Sequence, residues 1–130
     1  MSANVLDASA ARLFIAVDHT TMMEQIDGIL RLMAAPEPDV PSICAGLDAL
    51  AGQTREHFDR EGEIMRFLTD QDAEAHRRDH ARLLRSLIDF TEAIRSGDKP
   101  VSMTTALDLD TWLMFHIQCF DAKLIAACGA

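Results

Sequence analysis

Apolar residues recur at helical spacing along almost the whole chain, and short breaks divide this pattern into four long segments. The first break, Pro36–Pro41, holds three prolines in six residues and cannot continue a helix. The second, Thr69–Asp72, supplies turn and capping residues, and the third, Ser96–Pro100, places a glycine and then a proline after a helix end. Ser102 is a candidate cap for the last segment. The sequence therefore predicts helices over residues 9–34, 41–69, 72–96 and 102–127.

Long helices joined by such short connections pack as an antiparallel bundle. We therefore predict an all-α fold, an antiparallel up-down-up-down four-helix bundle. Residues 1–130 are expected to form a single domain, because this length suits one hydrophobic core. On the first helix, the apolar stripe predicted to face the core consists of Leu13, Val17, Met22, Ile26, Ile29, Leu30 and Met33.

The charge balance excludes some kinds of partner. With 12 Lys and Arg against 21 Asp and Glu, the chain has a formal charge of −9 and few cations to neutralise phosphates. This disfavours binding to nucleic acid or to an anionic membrane surface. No apolar run approaches the length of a membrane span, and the first residues lack the features of a signal peptide. We therefore expect a cytoplasmic protein that binds neither nucleic acid nor a membrane.

The cysteines and the missing tyrosine exclude some kinds of chemistry. The three cysteines, Cys44, Cys119 and Cys128, are odd in number and widely spaced, which disfavours a disulfide framework or an all-cysteine zinc site. We expect free and mostly buried thiols. The chain has no tyrosine, so a tyrosyl radical or a tyrosine acid cannot take part in any mechanism.

The five histidines all fall within the four predicted helices. His57 is followed by Glu61, and His76 by His80, each pair being four residues apart. Residues at i and i+4 lie on one face of a helix, so each pair can present two ligand atoms to one point.

The remaining two histidines lie on the first and last helices. His19 is in the middle of the first, and His116 is followed five residues later by Asp121. On an ideal α-helix these two residues would lie about 140° apart, so we expect them to flank a point rather than to stack beside it. A lone helical histidine is usually a surface or satisfied core residue. A shared metal is favoured only by the whole set, because five buried imidazoles without partners would be costly.

The composition of this set favours iron. Five imidazoles and two carboxylates are too many ligands for one tetrahedral zinc, and neither a His-Glu-x-x-His nor a Glu-x-x-His motif is present. Imidazole with carboxylate suits iron, and seven ligands suit two ions, although manganese and zinc stay open. If both carboxylates and one solvent-derived oxygen (oxo or hydroxo) bridge the ions, the histidines divide three and two. One iron is then six-coordinate and the other has an open position.

An open position beside a second ferrous ion is suited to dioxygen. Mostly neutral ligands favour the ferrous state, which makes reversible binding a better prediction than substrate oxidation. We therefore predict an oxygen-binding protein, for storage, delivery or sensing, rather than an enzyme. The alternatives are a di-iron redox enzyme, which would reduce peroxide or nitric oxide or oxidise a small molecule, and an iron-handling or signalling protein with a protein partner.

Three motifs together resemble the hemerythrin family, especially its bacterial members. They are His57-Phe58-Asp59-Arg60-Glu61 with Met65, then His76-Arg77-Arg78-Asp79-His80, and Trp112-Leu113-Met114-Phe115-His116-Ile117 with Asp121. The spacing of fifteen residues from Glu61 to His76 also fits, and the resemblance extends from His19 to Asp121.

The resemblance implies a role for each residue of the set. His76, His80 and His116 would hold the coordinatively full iron, and His19 and His57 the open one. Glu61 and Asp121 would be the bridging ligands. The residues that it implies line the oxygen pocket are Met22, Phe58, Trp112, Leu113 and Ile117.

Overall fold

The computed structural model describes residues 7–129, and every regular element in this range is helical. A π-helical turn, Ile117–Asp121, joins the last two α-helices into one continuous fourth helix, and a 3₁₀ turn, Met65–Phe67, follows the second α-helix. The α-helices are α1 (Ala8–Met33), α2 (Val40–Ile64), α3 (Asp70–Ser96), α4 (Met103–His116) and α5 (Ala122–Gly129).

Contacts between the helices show that neighbours run in opposite directions. On α1 and α2, Asp18 binds His57, whereas Ile29 approaches Gly46 so closely that a Cβ there would lie 3.2 Å away. Residue numbers thus rise on one helix as they fall on the other. The other pairs that give the same result are His80 with Glu61 and Arg95 with Asp48, Trp112 with Phe90 and Lys123 with Asp72. The all-α antiparallel four-helix bundle predicted from the sequence is confirmed.

The helix ends follow the capping signals in the sequence. The side chain of Thr69 accepts a hydrogen bond from the backbone N–H of Asp72, and that of Ser102 from the backbone N–H of Thr105. Gly97 ends α3 at φ = +82°, a left-handed conformation in which a side chain would be strained. Asp7 caps α1 through the N–H of Ala10. These short-range interactions fix where three of the four helices begin.

The predicted end of the second helix was wrong. The second helix was expected to reach residue 69, but α2 ends at Ile64, and after the 3₁₀ turn Leu68 is extended (φ −90°, ψ 161°). This extended residue lets Thr69 serve as the cap of α3 rather than as the end of α2. The fourth helix is continuous, but it is not α-helical throughout, because the π turn interrupts it.

The predicted inner face of the first helix was partly wrong. Leu13 and Val17 are 67% and 56% exposed, whereas Ile15, Asp18 and Met22 are buried. The helix is rotated so that Asp18 faces the interior, where it binds a polar group of α2. A count of apolar residues alone could not place this polar position in the core.

Two apolar clusters fill the bundle, and a layer of polar side chains lies between them. The small cluster lies at the end formed by the start of α1 and by α5, and it contains Ala11, Ile15, Ile64, Leu124 and Cys128. The large cluster fills the opposite end and includes Met22 and Ile29 of α1, Leu50 and Phe58 of α2, Leu87 of α3 and Leu113 of α4. The residues between them along each helix are the histidines and carboxylates singled out in the sequence.

The cysteines have the state expected from the sequence, free and mostly buried. Cys44 and Cys128 are buried and Cys119 is exposed, and all three are free. No helix in the described part of the chain is both long enough and apolar enough to cross a membrane.

Candidate metal centre

The polar layer brings all seven residues of the predicted ligand set together. His57 and Glu61 have no exposed surface, and only His19 is more than a tenth exposed in its side chain. The seven residues form two groups that share Glu61 and Asp121. Within each group, one possible ligand atom per residue can be chosen so that all the chosen atoms lie within 4.8 Å of one another. The first group contains Glu61, His76, His80, His116 and Asp121, and the second contains His19, His57, Glu61 and Asp121.

Glu61 faces both groups of histidines with different oxygens. Its Oε1 lies 2.9 Å from Nε2 of His80 and 3.7 Å from Nε2 of His76. Its Oε2 lies 3.2 Å from Nε2 of His57, on the other side. One carboxylate therefore offers an oxygen to each side of the layer.

The two oxygens of Asp121 also face different groups of histidines. Its Oδ1 lies 3.0 Å from Nε2 of His76 and 2.9 Å from Nε2 of His116. Its Oδ2 lies 2.6 Å from Nε2 of His19. Both carboxylates thus present one oxygen to a three-histidine side (His76, His80 and His116) and the other to a two-histidine side (His19 and His57).

The π turn brings Asp121 into this position. On an ideal α-helix Asp121 would be rotated away from His116, and the two were expected only to flank a point. In the structure both side chains do face one point, and Nε2 of His116 lies 2.9 Å from Oδ1 of Asp121. In the turn the N–H of Ala122 bonds to the carbonyl of Ile117, an i→i+5 bond that brings the fifth residue round to the same face. Such turns inside α-helices often occur at functional sites.

Two aspartates outside the ligand set make hydrogen bonds to its histidines, and the sequence analysis did not identify them. Oδ2 of Asp18 accepts a hydrogen bond from Nδ1 of His57 at 2.7 Å, and Arg60 binds the same oxygen. Oδ2 of Asp79 lies 2.5 Å from Nδ1 of His116. The other oxygen of Asp79 binds Arg82. Carboxylates of this kind fix the ring orientation and tautomer of metal-binding histidines.

A sequence signal for these aspartates existed. Each directly precedes a histidine of the set, Asp18 before His19 and Asp79 before His80. Adjacent residues on a helix point about 100° apart, so one faces its own site and the other reaches the next helix. In this chain the Asp-His pair on two helices therefore predicts the cross-helix support that the structure shows.

The inward atoms of the site could hold a cation. His57 and His116 donate from Nδ1 to the outer aspartates, which leaves Nε2 of a neutral ring as an acceptor. Each Nε2 then faces a carboxylate oxygen, which is also an acceptor. Within the described residues neither Nε2 makes a hydrogen bond, and the same holds for Oε2 of Glu61. Metal ions between these atoms would satisfy them all, so the residues present fit a metal centre.

Without metal, protons take the place of the cation. Burial alone would lower the pKa of His57. A protonated His57 ring, however, can donate from Nε2 to Glu61 as well as from Nδ1 to Asp18, and these bonds, with the charges of Glu61 and Asp121, raise that pKa to about 8. Burial also opposes charge on His116, yet Asp121 and Asp79 raise its pKa. In His80 burial prevails over Glu61, and its pKa is lowered. The histidines outweigh burial at both carboxylates and hold the pKa values of Glu61 and Asp121 below their usual range.

Metal uptake is therefore expected to depend on pH. A pKa raised to about 8 favours the protonated form of His57 at pH 7 when no metal is bound, so we expect metal binding to displace that proton. Protonation of His57 stabilises the fold when no metal is bound. This stabilisation is complete below about pH 6.5 and is lost as the pH rises through about 8. We expect ferrous affinity to increase from pH 6.5 to 8.5, with proton release at pH 7 measured by anaerobic calorimetry in buffers of different ionisation enthalpy. Equal affinity and no proton release across this range would contradict the expectation.

The structure separates the five predicted pocket residues. The Phe58 ring is stacked on the imidazole of His80, with centroids 3.7 Å apart, and also lies 5.4 Å from His116. Met22 and Leu113 are buried in the large apolar cluster. Trp112 is half-buried with its ring edge-on to Phe90, where it borders surface cavities between α3 and α4.

Ile117, the fifth of these residues, is half-buried at the start of the π turn. Among the five, contact with rings of the candidate ligand set is thus clearest for Phe58. The role of all five as pocket lining stays a prediction.

Solvent approaches the layer at two edges. The side chain of His19 is 14% exposed and that of His80 is 9% exposed, whereas the other members are nearly or fully buried. His80 forms part of a cavity of about 320 Å³ between α2 and α3, which Arg55 and Arg77 also line. The interior of the layer is otherwise enclosed by the bundle.

Comparison with known proteins gives no relative from which a function could be taken. No protein-family model, curated protein or solved structure matches the chain. The functional argument therefore depends on the residues of the polar layer and their geometry.

Proposed function

We propose that this chain is a non-haem di-iron protein of the hemerythrin type that reversibly binds dioxygen. The main observation behind the proposal is that each of the two carboxylates faces both groups of histidines. Glu61 and Asp121 each turn one oxygen to the three-histidine side and the other to the two-histidine side. A single metal ion would use one side only, whereas two ions use every inward atom of the layer.

The donor set supports iron in both positions. Imidazole and carboxylate together suit iron, and the absence of thiolate from the two ligand groups is consistent with that choice. The unequal division of the histidines leaves the two-histidine side with one protein ligand fewer. An iron pair bound here would supply electrons and an open coordination position for a diatomic ligand.

The protein groups around the layer have separate tasks. His76, His80 and His116 would hold one iron, and His19 and His57 the other. Asp18 and Asp79 keep Nδ1 of His57 and His116 protonated, so that Nε2 of each ring points inward as a donor to metal. Neutral imidazoles outnumber carboxylates, which favours the ferrous state over more oxidised forms.

The apolar surroundings support reversible binding rather than catalysis. The large apolar cluster begins on one side of the layer with Met22, Phe58 and Leu113, and the small cluster lies on the other. Side chains of this kind exclude water, and so they limit proton delivery to a bound ligand. A carrier needs such protection, whereas a reductase needs protons at every turnover.

A cycle of visible spectra tests this function. We expect the iron-loaded protein to be nearly colourless when reduced without oxygen, to gain a charge-transfer band in air, and to lose that band on degassing. A stable oxidised spectrum that forms at once and does not reverse would contradict reversible binding. Steady turnover with an added electron donor and peroxide or nitric oxide would support a redox enzyme instead.

A further inference from the structure

Thr54 carries a buried hydroxyl without a partner. Its side chain, in the interior of α2, has no exposed surface, and Oγ1 makes no hydrogen bond within the described part of the chain. The other buried threonines differ, since Thr91 donates to the carbonyl of Leu87 and Thr105 binds Ser102. A helical threonine normally satisfies its hydroxyl through such a local bond. An unpaired hydroxyl at this depth is costly, so a partner from outside the chain is the expected explanation.

Thr54 lies one helical turn along α2 from His57, a member of the two-histidine side. It is three residues before His57 and four before Phe58, and residues at these spacings are direct neighbours on a helix. The Nε2 atom of His57 and the hydroxyl of Thr54 are thus two unpaired polar atoms one turn apart.

The opposite helix places a predicted pocket residue at the same level. Asp18 lies opposite His57, and Ile29 lies opposite Gly46, so this register sets Thr54 opposite residues 21–22. Met22 is 1% exposed and belongs to the large apolar cluster. Thr54 therefore lies at the level of an apolar residue of the large cluster, and one turn along α2 from His57 on the side that has fewer protein ligands.

We propose that the Thr54 hydroxyl donates a hydrogen bond to the small ligand held on the two-histidine side of the centre. This inference depends on the proposed function and adds a residue that selects the ligand. The expected ligands are small molecules with accessible lone pairs, such as dioxygen, nitric oxide or azide. A hydroxyl donor at this position stabilises a ligand that gains negative charge on binding over one that stays neutral.

Gln25 offers a competing partner for this hydroxyl. Its Oε1 is also buried and unpaired within the described residues, and α1 carries it one turn beyond the level opposite Thr54. A water molecule bridging the two side chains would satisfy both atoms and leave the ligand without a bond. The test therefore has to separate a ligand partner from a structural water.

The test compares Thr54→Val, which removes the hydroxyl but keeps the shape, with Thr54→Ser, which keeps the hydroxyl. The probes are azide binding to the oxidised iron-loaded protein and dioxygen dissociation from the reduced one. We expect Thr54→Val to weaken azide and to speed dioxygen release about tenfold, and Thr54→Ser to stay within about threefold of wild type. If Thr54→Val does not fold, the pair Thr54→Ala and Thr54→Ser makes the same comparison.

A second readout uses the metal-free protein. If the hydroxyl has no hydrogen-bond partner until a ligand binds, metal-free Thr54→Val should melt at the same temperature as wild type or higher. The substitution then removes an unpaired polar group. A lower melting temperature, matched by Gln25→Leu, would assign the hydroxyl to a water shared with Gln25 and overturn the proposal.

The results also separate this proposal from the proposed function. Unchanged azide affinity and dioxygen release in Thr54→Val, with wild type binding both, would overturn the role of Thr54 alone. If the iron-loaded wild type bound neither azide nor dioxygen, the proposed function would fail and the role of Thr54 would fail with it.

Discussion

Replacing Glu61 with glutamine is expected to empty both metal positions. Glu61 is the one fully buried carboxylate of the layer, and its two oxygens face different groups of histidines. The amide of Glu61→Gln keeps the shape but has one oxygen instead of two, and its nitrogen cannot bind metal. We therefore expect iron, measured by elemental analysis of the reconstituted variant, to fall from two ions per chain to well below one.

A neighbouring residue provides the control for this experiment. Glu63 is exposed, lies two residues further along α2 and contributes to neither ligand group. Glu63→Gln has the same change of charge and should keep the full iron content. Two ions retained in Glu61→Gln, or a similar loss in both variants, would rule out Glu61 as the shared ligand.

Replacing each outer aspartate with asparagine is expected to weaken one side of the centre more than the other. Asp79 supports His116 on the three-histidine side, and Asp18 supports His57 on the two-histidine side. Loss of such a partner costs about 10- to 100-fold in metal affinity, because the ring is less basic and less firmly oriented. Titration with ferrous ion should show one weakened step in each variant, at a different side of the centre.

Exposed aspartates on the same helices serve as matched controls. Asp27 of α1 pairs with Arg31 and Asp89 of α3 pairs with Arg85, both at the surface. Asp27→Asn and Asp89→Asn should leave both binding steps unchanged. Equal weakening of the two steps in Asp18→Asn and in Asp79→Asn would show that the aspartates do not act on separate ions.

Much of the site follows from spacing alone. Four-residue intervals determine that His57 lies above Glu61 and His76 above His80 wherever the helix is regular. Once proline and glycine breaks define four helices, the bundle has few ways to bury these residues except at one level. The agreement therefore comes from local helix geometry together with the short connections.

The parts that the sequence did not predict depend on irregular backbone and on packing between helices. The i→i+5 bond after Ile117 places Asp121, and no composition signal marks a π turn. The rotation of α1 is determined by the contact of Asp18 with His57 and Arg60, so an apolar stripe through Leu13 and Val17 was misleading. Neither feature can be obtained from one helix considered alone.

The metal-free layer also explains why the site should be selective for cations. Five imidazoles and two carboxylates share a nearly closed space, and Nε2 of His57 and of His116 faces carboxylate oxygen without a hydrogen bond. Such buried acceptors are costly in the apolar interior of a bundle. Cations are therefore partners that this interior could hold.

The iron content of the reconstituted wild-type chain tests the central claim most directly. The protein would be loaded with ferrous ion without oxygen, freed of excess metal on a desalting column, and analysed for iron and protein in the same sample. The division of Glu61 and Asp121 between two histidine groups predicts two iron ions per chain. One ion per chain, or none, would contradict a shared two-metal centre.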